Sequence, residues 1–321
     1  MRVAVLAGGR SPEREVSLRS GHRVVTALAS IGHEAALIDP GEVPLAETLS
    51  EHAPEVCYLT LHGQLGEDGT VQRLLELLGI PYTGTAPSDC EIAFDKVLAK
   101  DVLHRAGVDT PAWAVVEDRA LRDLGAGSAL ASVVDRVGLP CVVKPGRSGS
   151  AMGVGFVQRA GDLPAAVMAA LSFSGAAVVE AKVEGSEVAV GLVGAPWEAL
   201  PLVEIVPKDG VYDYAARYTA GATEYFAPAR VTGEIAAACS QAALQAAEAL
   251  RLRDVTRVDA IVDADGRPWV LEVNVAPGMT ETSLLPMAAQ AAGLSVADLC
   301  DGVLRAALAR RSTDGPSQRP G

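Results

Sequence analysis

The sequence predicts an α/β fold, with a parallel sheet in the first third of the chain and two units of mixed α+β structure after it. Three observations support this prediction. Short apolar strands alternate with helices up to about residue 96, which is typical of a parallel sheet covered on both faces. A glycine-rich loop joins two apolar runs near residue 150, and an Asp-Gly pair, a strong hairpin signal, joins two more at Asp265.

The first unit is predicted from apolar segments separated by turn residues. Its last helix stops at Gly79, with Pro81 just beyond, which is a common way for a helix to end. The predicted strands cover residues 3–7, 34–38 and 56–61, and the predicted helices cover residues 13–31 and 71–78.

The rest of the chain divides into two further units and a tail. The predicted strands cover residues 112–116, 141–144, 155–158, 178–180, 187–193 and 199–207, and the helices cover residues 95–106, 124–137 and 235–250. We therefore place the domains at residues 1–96, 97–183 and 184–311. Residues 312–321 are polar and rich in Pro and Gly, so we predict that this tail is disordered.

Composition limits the class of protein. The 321 residues are 49% apolar with a formal net charge of −13, which indicates a globular protein and argues against a nucleic-acid-binding surface. The five cysteines are scattered and odd in number, so we expect buried thiols in a reducing compartment. No apolar run approaches the roughly 18 residues of a membrane-spanning helix. We therefore expect a cytoplasmic protein without a membrane partner.

The Asp-Gly hairpin carries the most informative side chains. A two-residue turn at Asp265-Gly266 would place Asp259 opposite Glu272 and Arg257 opposite Asn274, all on one face. Two carboxylates opposite each other destabilise a sheet, and a divalent cation between them removes that penalty. Oxygen ligands suit Mg²⁺ or Mn²⁺, and Mg²⁺ is usually held together with substrate phosphates. The face therefore indicates a nucleotide-using enzyme; the alternative is a solvated hairpin with coincidental acids.

The glycine-rich loop at residues 144–155 lies between two predicted strands. Glycines let backbone N–H groups approach phosphate oxygens, and Lys144 could neutralise phosphate charge. The chain has no Gly-Lys-Ser/Thr, so the loop is not a P-loop. We interpret it as a flap over a triphosphate, with an ordinary hairpin loop as the alternative. Glu180 and Glu187 could hold a ribose or an adenine amino group, although solvated acids are the commoner case.

Two further segments follow strands of the predicted parallel sheet. His62 and Glu67 lie after the third strand, at the edge where open α/β sheets bind ligands. Glu15, at a helix N-terminus after the first strand, could receive a substrate ammonium group. The alternatives are a structural histidine and simple stabilisation of the helix dipole.

The last two candidate segments flank the hairpin in sequence. Residues 212–226 contain four of the six tyrosines without a clear period, which favours an active-site lid over a structural loop. Gly278 could present its N–H to a developing oxyanion. Ser283 and Leu284 could open a helix whose N–H groups suit a carboxylate.

Taken together, these motifs resemble those of the D-alanine–D-alanine ligases, a family of the ATP-grasp superfamily. The similarity runs from residue 3 to about residue 299, and the blocks at residues 8–17 and 61–69 separate this family from other ATP-grasp enzymes. Further matches lie at residues 79–84, 212–218, 257–259, 271–274 and 277–280. The resemblance implies an ATP-grasp fold, in which an N-terminal parallel α/β domain precedes two α+β domains that clasp ATP between them.

The resemblance also implies site roles. ATP would be bound by Lys96, Lys144, Glu180, Glu187 and Arg217, and two Mg²⁺ or Mn²⁺ ions by Asp259, Glu272 and Asn274. The first D-alanine would meet Glu15 and His62, with Ser150 and Tyr218 linked through Glu15 to fix the lid. The second step would use Arg257 and the Gly278 N–H for the oxyanion, and Ser283 and Leu284 for the carboxylate of the second D-alanine.

The implied reaction joins two D-alanines through an acyl phosphate for peptidoglycan precursor synthesis. The chain departs from the family pattern in four places: Arg217 replaces a lysine, Ala151 replaces a serine, Ala181 separates Glu180 from Lys182, and Val275-Ala276 replaces Thr-Ser. These departures motivate an alternative, a related ligase with another amino-acid substrate in specialised or resistance metabolism. A non-catalytic nucleotide-binding protein is a third reading. The family resemblance makes a homodimer possible.

Overall fold

The computed structural model describes residues 1–313, apart from residues 209, 211, 213–215, 218 and 220. The predicted lid tyrosine at position 218 therefore lies outside the described residues, and so does most of the predicted disordered tail, residues 314–321. The first two residues predicted for that tail instead continue the last helix, which ends at Thr313.

The first sheet is parallel, as predicted. The chain runs through β1 (Arg2–Leu6), α1 (Arg14–Ser30), β2 (Glu34–Ile38), α2 (Leu45–His52), β3 (Val56–Leu59) and α3 (Thr70–Leu78). The strand order is β2-β1-β3 with every pair parallel, and β1 and β3 are almost wholly buried. Two helices follow, α4 (Pro87–Phe94) and α5 (Lys96–Arg105). Neither α2 nor α4 was predicted.

The second sheet is antiparallel. It is formed by β4 (Trp113–Glu117), β5 (Cys141–Pro145), β6 (Gly155–Val157) and β7 (Ala176–Ala181), in the order β4-β7-β5-β6. Its helices are α6 (Asp118–Asp123), α7 (Leu130–Val137) and α8 (Leu163–Leu171). The helical segment predicted around residues 124–137 is present as a 3₁₀ turn at Ala126–Ala129 that leads into α7. The preceding α6 was not predicted, and Gly125, with a positive φ of 64°, separates it from this segment.

The third sheet carries the hairpin. Its strands are β8 (Ser186–Val193), β9 (Glu198–Ala199), β10 (Val203–Pro207), β11 (Thr223–Phe226), β12 (Val255–Val262) and β13 (Pro268–Asn274), in the order β11-β10-β8-β12-β13 with β9 on β8. The helices are α9 (Gly233–Ala249), α10 (Leu284–Ala291) and α11 (Val296–Thr313).

The bounds of two predicted segments are corrected in this sheet. The strand predicted at residues 199–207 is split into β9 and β10 around Pro201, which has no N–H to continue a ladder. The lid predicted at residues 212–226 ends in a strand, because Thr223–Phe226 pairs with β10 along its whole length.

The C-terminal helices return to the first sheet. Val24 and Leu28 of α1 share one core with Leu285 of α10 and Leu304 of α11, and all four are at most 1% exposed. This packing brings the loop after β13 against α1. This core contains residues of both the first and the last predicted unit, so it does not mark a boundary between them. The domain limits given from the sequence therefore stay a prediction.

The register of the hairpin is as predicted at the four site positions, although the predicted turn is wrong. The Asp263 N–H donates to the Arg267 carbonyl at 3.1 Å and closes a three-residue loop that ends at Gly266, which has a φ of 80°. Val262 then pairs with Pro268. A bulge at Leu271 then restores the predicted register, and Asp259 pairs with Glu272 and Arg257 with Asn274.

The five cysteines are free and buried, as predicted. Within the part of the chain that the structure describes, no helix is long and apolar enough to cross a membrane.

Candidate active site

The hairpin face lies between two cavities. A cavity of about 430 Å³ separates the second sheet from the third, and a smaller one of about 100 Å³ lies between the start of α1, the glycine-rich loop and the loop after β13. Asp259 and Glu272 line the larger cavity, while Arg257 and Asn274 line the smaller one. The four residues predicted to share a face therefore serve two adjoining spaces.

The hairpin acids are held by cations. Arg257 contacts both oxygens of Asp259, with Nε–Oδ1 2.7 Å and Nη2–Oδ2 2.8 Å. Glu272 lies 3.8 Å from Lys96 Nζ and 3.7 Å from Arg217 Nη2. Burial would raise the pKa of Glu272, but these cations outweigh it and lower the pKa to about 2. Glu272 is therefore ionised at neutral pH.

The hairpin donors fit a hard cation. Asp259 and Glu272 offer carboxylate oxygens across one strand pair, and Asn274 Nδ2 lies 3.3 Å from Asp259 Oδ2, which places a third oxygen-bearing side chain beside them. Among the described residues no group of three or more His, Cys, Asp or Glu forms a metal cluster. The set is thus two carboxylates and an amide, which suits Mg²⁺ or Mn²⁺ shared with a substrate's oxygens and does not suit Zn²⁺.

Lysines surround Glu180 at the other side of the larger cavity. Lys144 Nζ lies 2.7 Å from Glu180 Oε2, and Lys100 Nζ lies 3.1 Å from Glu180 Oε1 in ion-pair contact without hydrogen-bond geometry. Burial would raise the pKa of Glu180, but the two ammonium groups hold it below its ordinary value. Lys96 Nζ donates to the carbonyl of Ser148 at 2.7 Å, which ties α5 to the glycine-rich loop.

Lys100 was missed by the sequence prediction. It is 2% exposed, and its Nζ also donates to Thr110 Oγ1 at 2.6 Å. A signal was available, because Lys100 follows Lys96 by one helical turn and therefore shares its face.

Glu187 and Arg217, two of the residues that the family resemblance assigns to ATP, both line the larger cavity. Burial raises the pKa of Glu187 to about 7, against the effect of Arg217. The Arg217 guanidinium lies 4.6 Å from the centre of the Tyr212 ring, and Arg217 lines both cavities. The family's lysine position is thus filled by a group that keeps the charge and adds an aromatic contact.

Glu15 is not in the site, and Glu13 is. Glu15 is exposed on α1 and lines neither cavity. Glu13 is 5% exposed, lines the smaller cavity, and has an Oε1 that is buried without a hydrogen-bond partner among the described residues. Residues that are two apart in a helical sequence point about 200° apart around the helix axis, so only one of the two glutamates can face the sheet. Glu13 precedes the buried Ser17 by one turn, which is the signal that could have found it.

Gly149 lets the glycine-rich loop reach Glu13. A Cβ at position 149 would lie 2.6 Å from Glu13 Oε1, so a side chain there would displace either the loop or the Glu13 carboxylate. Ser150 follows with a φ of 53° and lines the smaller cavity. The predicted link from Ser150 to Tyr218 lies outside the described residues.

His62 is a buried neutral imidazole that lines the smaller cavity together with Glu67. Burial lowers the pKa of His62 to about 4. Its Nδ1 lies 3.1 Å from the carbonyl of Ala276 and must carry the proton, so Nε2 accepts from Ser20 Oγ at 3.3 Å. Burial also raises the pKa of Glu67 to about 8, and Gly63 N–H donates to this carboxyl group at 2.7 Å.

The loop after β13 closes the smaller cavity. Gly278, Ser283 and Leu284 all line it, as the sequence predicted for one substrate site. Ser283 is the N-cap of α10, and its Oγ accepts the Thr280 N–H at 2.9 Å. Among the described residues, no acceptor bonds the Gly278 N–H, so this amide is available to a substrate oxygen.

The fold and the site together define an ATP-grasp enzyme. Two antiparallel sheets enclose a cavity lined by lysines, and the hairpin that borders this cavity carries the paired acids Asp259 and Glu272. The family model described as D-ala D-ala ligase C-terminus matches residues 102–305, and the one described as D-ala D-ala ligase N-terminus matches residues 43–85. The chain belongs to the D-alanine–D-alanine ligase family.

Known proteins agree with this placement. The D-alanine–D-alanine ligase of Anaeromyxobacter dehalogenans (strain 2CP-1) is 44% identical, over 94% of this chain and 96% of that protein. A crystal structure of the Bacillus anthracis D-alanine–D-alanine ligase complexed with ATP is 31% identical with a TM-score of 0.82, covering 98% of this chain and 100% of that one. The VanG D-Ala:D-Ser ligase of Enterococcus faecalis is 25% identical with a TM-score of 0.81, covering 95% and 98%.

Proposed function

We propose that this chain joins two D-alanine molecules into D-alanyl-D-alanine while converting ATP to ADP and phosphate, as a step in peptidoglycan precursor synthesis. The observation that carries the proposal is the division of one hairpin face between two cavities, with the acids at the larger and Arg257 at the smaller. The family of the chain supports the amino-acid substrate, and the ATP complex of the Bacillus anthracis relative supports the nucleotide.

The reaction needs ATP because a carboxylate is a poor acyl donor whose leaving group would be oxide. A carboxylate oxygen of the first D-alanine attacks the γ-phosphorus, the bond from this phosphorus to the bridging oxygen breaks, and ADP leaves. The amine of the second D-alanine then attacks the acyl carbon of the acyl phosphate. The carbon–oxygen bond to phosphate breaks, phosphate leaves with the electron pair, and the nitrogen loses a proton.

The larger cavity supplies positive charge for the triphosphate. Lys96, Lys144 and Arg217 line it, and their ammonium and guanidinium groups would stabilise the negative charge of the transferring phosphoryl group. Apolar Val142, Phe156 and Leu271 offer a wall for the base. Glu180, fixed by two lysines, stands ready as an acceptor for polar groups of the nucleoside.

Asp259, Glu272 and Asn274 would hold two Mg²⁺ or Mn²⁺ ions. The oxygen-only set and the ionised Glu272 support this assignment. When bound, such ions neutralise phosphate oxygens and draw electron density from the transferred group. Adding excess chelator should abolish turnover, and Mg²⁺ should restore it.

The smaller cavity would hold the first D-alanine. Glu13 Oε1, a buried acceptor without a partner among the described residues, suits the ammonium group. Neutral His62 and the glycine-rich loop close the space around it. Shielding from water matters here, because an acyl phosphate hydrolyses readily when solvent reaches it.

The second D-alanine would enter beside Gly278. The Arg257 guanidinium and the Gly278 N–H would stabilise the oxyanion that forms as the amine attacks. Its carboxylate would lie at Ser283 and Leu284, where α10 begins and backbone N–H groups point outward. The two substrates thus meet at the end of the hairpin face.

Phosphate release from ATP and Mg²⁺, measured with a panel of D- and L-amino acids and followed by mass spectrometry of the product, tests the proposal. We expect D-alanine alone to give phosphate and the dipeptide. Turnover only with another acceptor, such as D-serine, would select the alternative ligase, and absence of turnover with every acceptor would reject an enzyme. The cytoplasmic location and the homodimer stay predictions, testable by fractionation and by light scattering.

A further inference from the structure

Helix α1 is hydrogen-bonded to the loop that carries Gly278. Ser20 and Arg23 lie three positions apart and therefore share a face of the helix. Ser20 Oγ accepts the Met279 N–H at 3.1 Å, and Arg23 Nη1 donates to the Met279 carbonyl at 3.1 Å and to the Thr280 carbonyl. Both polar groups of the Met279 backbone are thus bound by the same helix.

These hydrogen bonds fix the orientation of the neighbouring peptide groups. Met279 and Thr280 are 2% and 5% exposed, so their backbone has little room to move. The Met279 N–H donates to Ser20 Oγ and the Thr280 N–H donates to Ser283 Oγ, so neither amide is free to turn toward a substrate. Gly278, the preceding residue, lines that cavity. Rotation of the loop would move the Gly278 N–H and the Ser283 end together.

Arg23 is the polar contact that lies outside the cavity. It is half-buried and lines an open groove between α1 and α11, on the other side of the loop. Ser20, by contrast, also bonds His62, so its role cannot be separated from the first substrate's surroundings. Charged donors to carbonyl groups form stronger hydrogen bonds than neutral ones, which makes Arg23 the stronger of the two anchors.

We propose that Arg23 is a positioning residue for the second half of the reaction: it holds the Met279 and Thr280 carbonyls so that Gly278 N–H and Ser283 meet the acceptor amino acid. It touches no substrate and acts through the loop. The inference rests on the proposed function. It predicts that loss of Arg23 impairs dipeptide formation more than acyl phosphate formation.

The test compares two products of one enzyme. Hydroxylamine reacts with the acyl phosphate to give a hydroxamate, and this reaction does not need the binding site of the second amino acid. Dipeptide formation does need that site. Arg23→Ala should lower dipeptide formation about tenfold at subsaturating D-alanine, and hydroxamate formation less than twofold. Arg23→Lys, which keeps a charged donor, should recover most of the dipeptide activity. Arg19→Ala is the matched control, since Arg19 is 55% exposed on the same helix and approaches Glu281 only at 3.7 Å.

The outcomes separate the two proposals. A wild-type protein that makes neither product refutes the proposed function. An active wild type whose Arg23→Ala variant keeps the normal ratio of the two products refutes the positioning role alone. Equal loss of both products with a lowered thermal midpoint also refutes it, because Arg23 would then be a general stabiliser. If Arg23→Ala does not fold, Arg23→Gln and Arg23→Lys provide the same ratio.

Discussion

Arg257 and Asp259 leave the same face of β12 and form a two-point ion pair, with Nε–Oδ1 2.7 Å and Nη2–Oδ2 2.8 Å. The side chains are 10% and 2% exposed, so the pair is shielded from water. Asp259 lines the cavity proposed for phosphoryl transfer, and Arg257 lines the one proposed for peptide-bond formation. The Asp259 carboxylate therefore binds Arg257, the cation proposed for the second half-reaction, and is also a proposed ligand of the metal ions used in the first.

Asp259→Asn tests this link. The amide keeps the shape but removes the charge, so we expect kcat to fall at least about 100-fold through loss of metal and phosphoryl stabilisation. The free energy of unfolding should fall by roughly 3 kcal/mol, because Arg257 stays buried without its counter-charge. ADP release across a Mg²⁺ titration and urea unfolding measure the two effects. Asp265→Asn, exposed in the turn of the same hairpin, should behave as wild type; near-normal kcat in Asp259→Asn would contradict the metal assignment.

Glu13 and Glu15 form a natural matched pair. Glu13→Gln removes the buried anion proposed to receive the first D-alanine's ammonium group, and a lost charge-assisted hydrogen bond of about 3 kcal/mol lowers kcat/KM about 100-fold. Glu15→Gln changes an exposed side chain and should stay within about twofold of wild type. D-alanine saturation curves for both variants decide the question. Equal effects, or a larger effect at Glu15, would return the role to the residue that the sequence first indicated.

Much of the fold was visible in local patterns. Short buried strands flanked by helices predicted the parallel sheet, and its strand positions agree within two residues. The strand Thr223–Phe226 was hidden in a tyrosine-rich stretch, since only its pairing with β10 makes it a strand. A contact between distant segments cannot be read from local spacing.

The hairpin shows how a register can be predicted correctly from a wrong turn. The extra residue in the loop and the bulge at Leu271 shift the pairing by one in opposite directions, so the four site residues keep their predicted partners. The run Trp269-Val-Leu271 is apolar throughout, and therefore its alternation gives no sign of the bulge.

Sequence motifs did not identify every site residue correctly, because the choice between neighbouring residues depends on which side chain is buried. Glu13 and Glu15 occupy one short motif, and only the packing of α1 decides which carboxylate faces the cavity. Lys100 belongs to no motif used for the prediction. The helical repeat from Lys96 would have indicated it, had that spacing been applied to the helix.

Lys100→Met tests the missed residue. Glu180 would keep Lys144 but lose the cation 3.1 Å from its other oxygen, so its carboxylate would no longer be held in one orientation. We expect KM for ATP to rise about tenfold, equivalent to roughly 1.4 kcal/mol, with a smaller change in kcat. Lys208→Met, at an exposed lysine outside both cavities, is the control. An unchanged KM for ATP would show that Lys144 alone orients Glu180.

His62 predicts a specific loss of stability in mild acid. Burial lowers the pKa of the folded imidazole from 6.5 to about 4, so between these values the unfolded chain binds more protons than the folded one. The stabilising contribution is complete above about pH 6.5 and is lost as the pH falls toward 4; at pH 5 the loss is about 2 kcal/mol. Urea unfolding at pH 7 and pH 5 measures it. His62→Gln should remove this part of the pH dependence, while His22→Gln, at an exposed position of α1, should keep it. The same slope in the His62 variant and the wild type would mean that other groups cause the acid sensitivity.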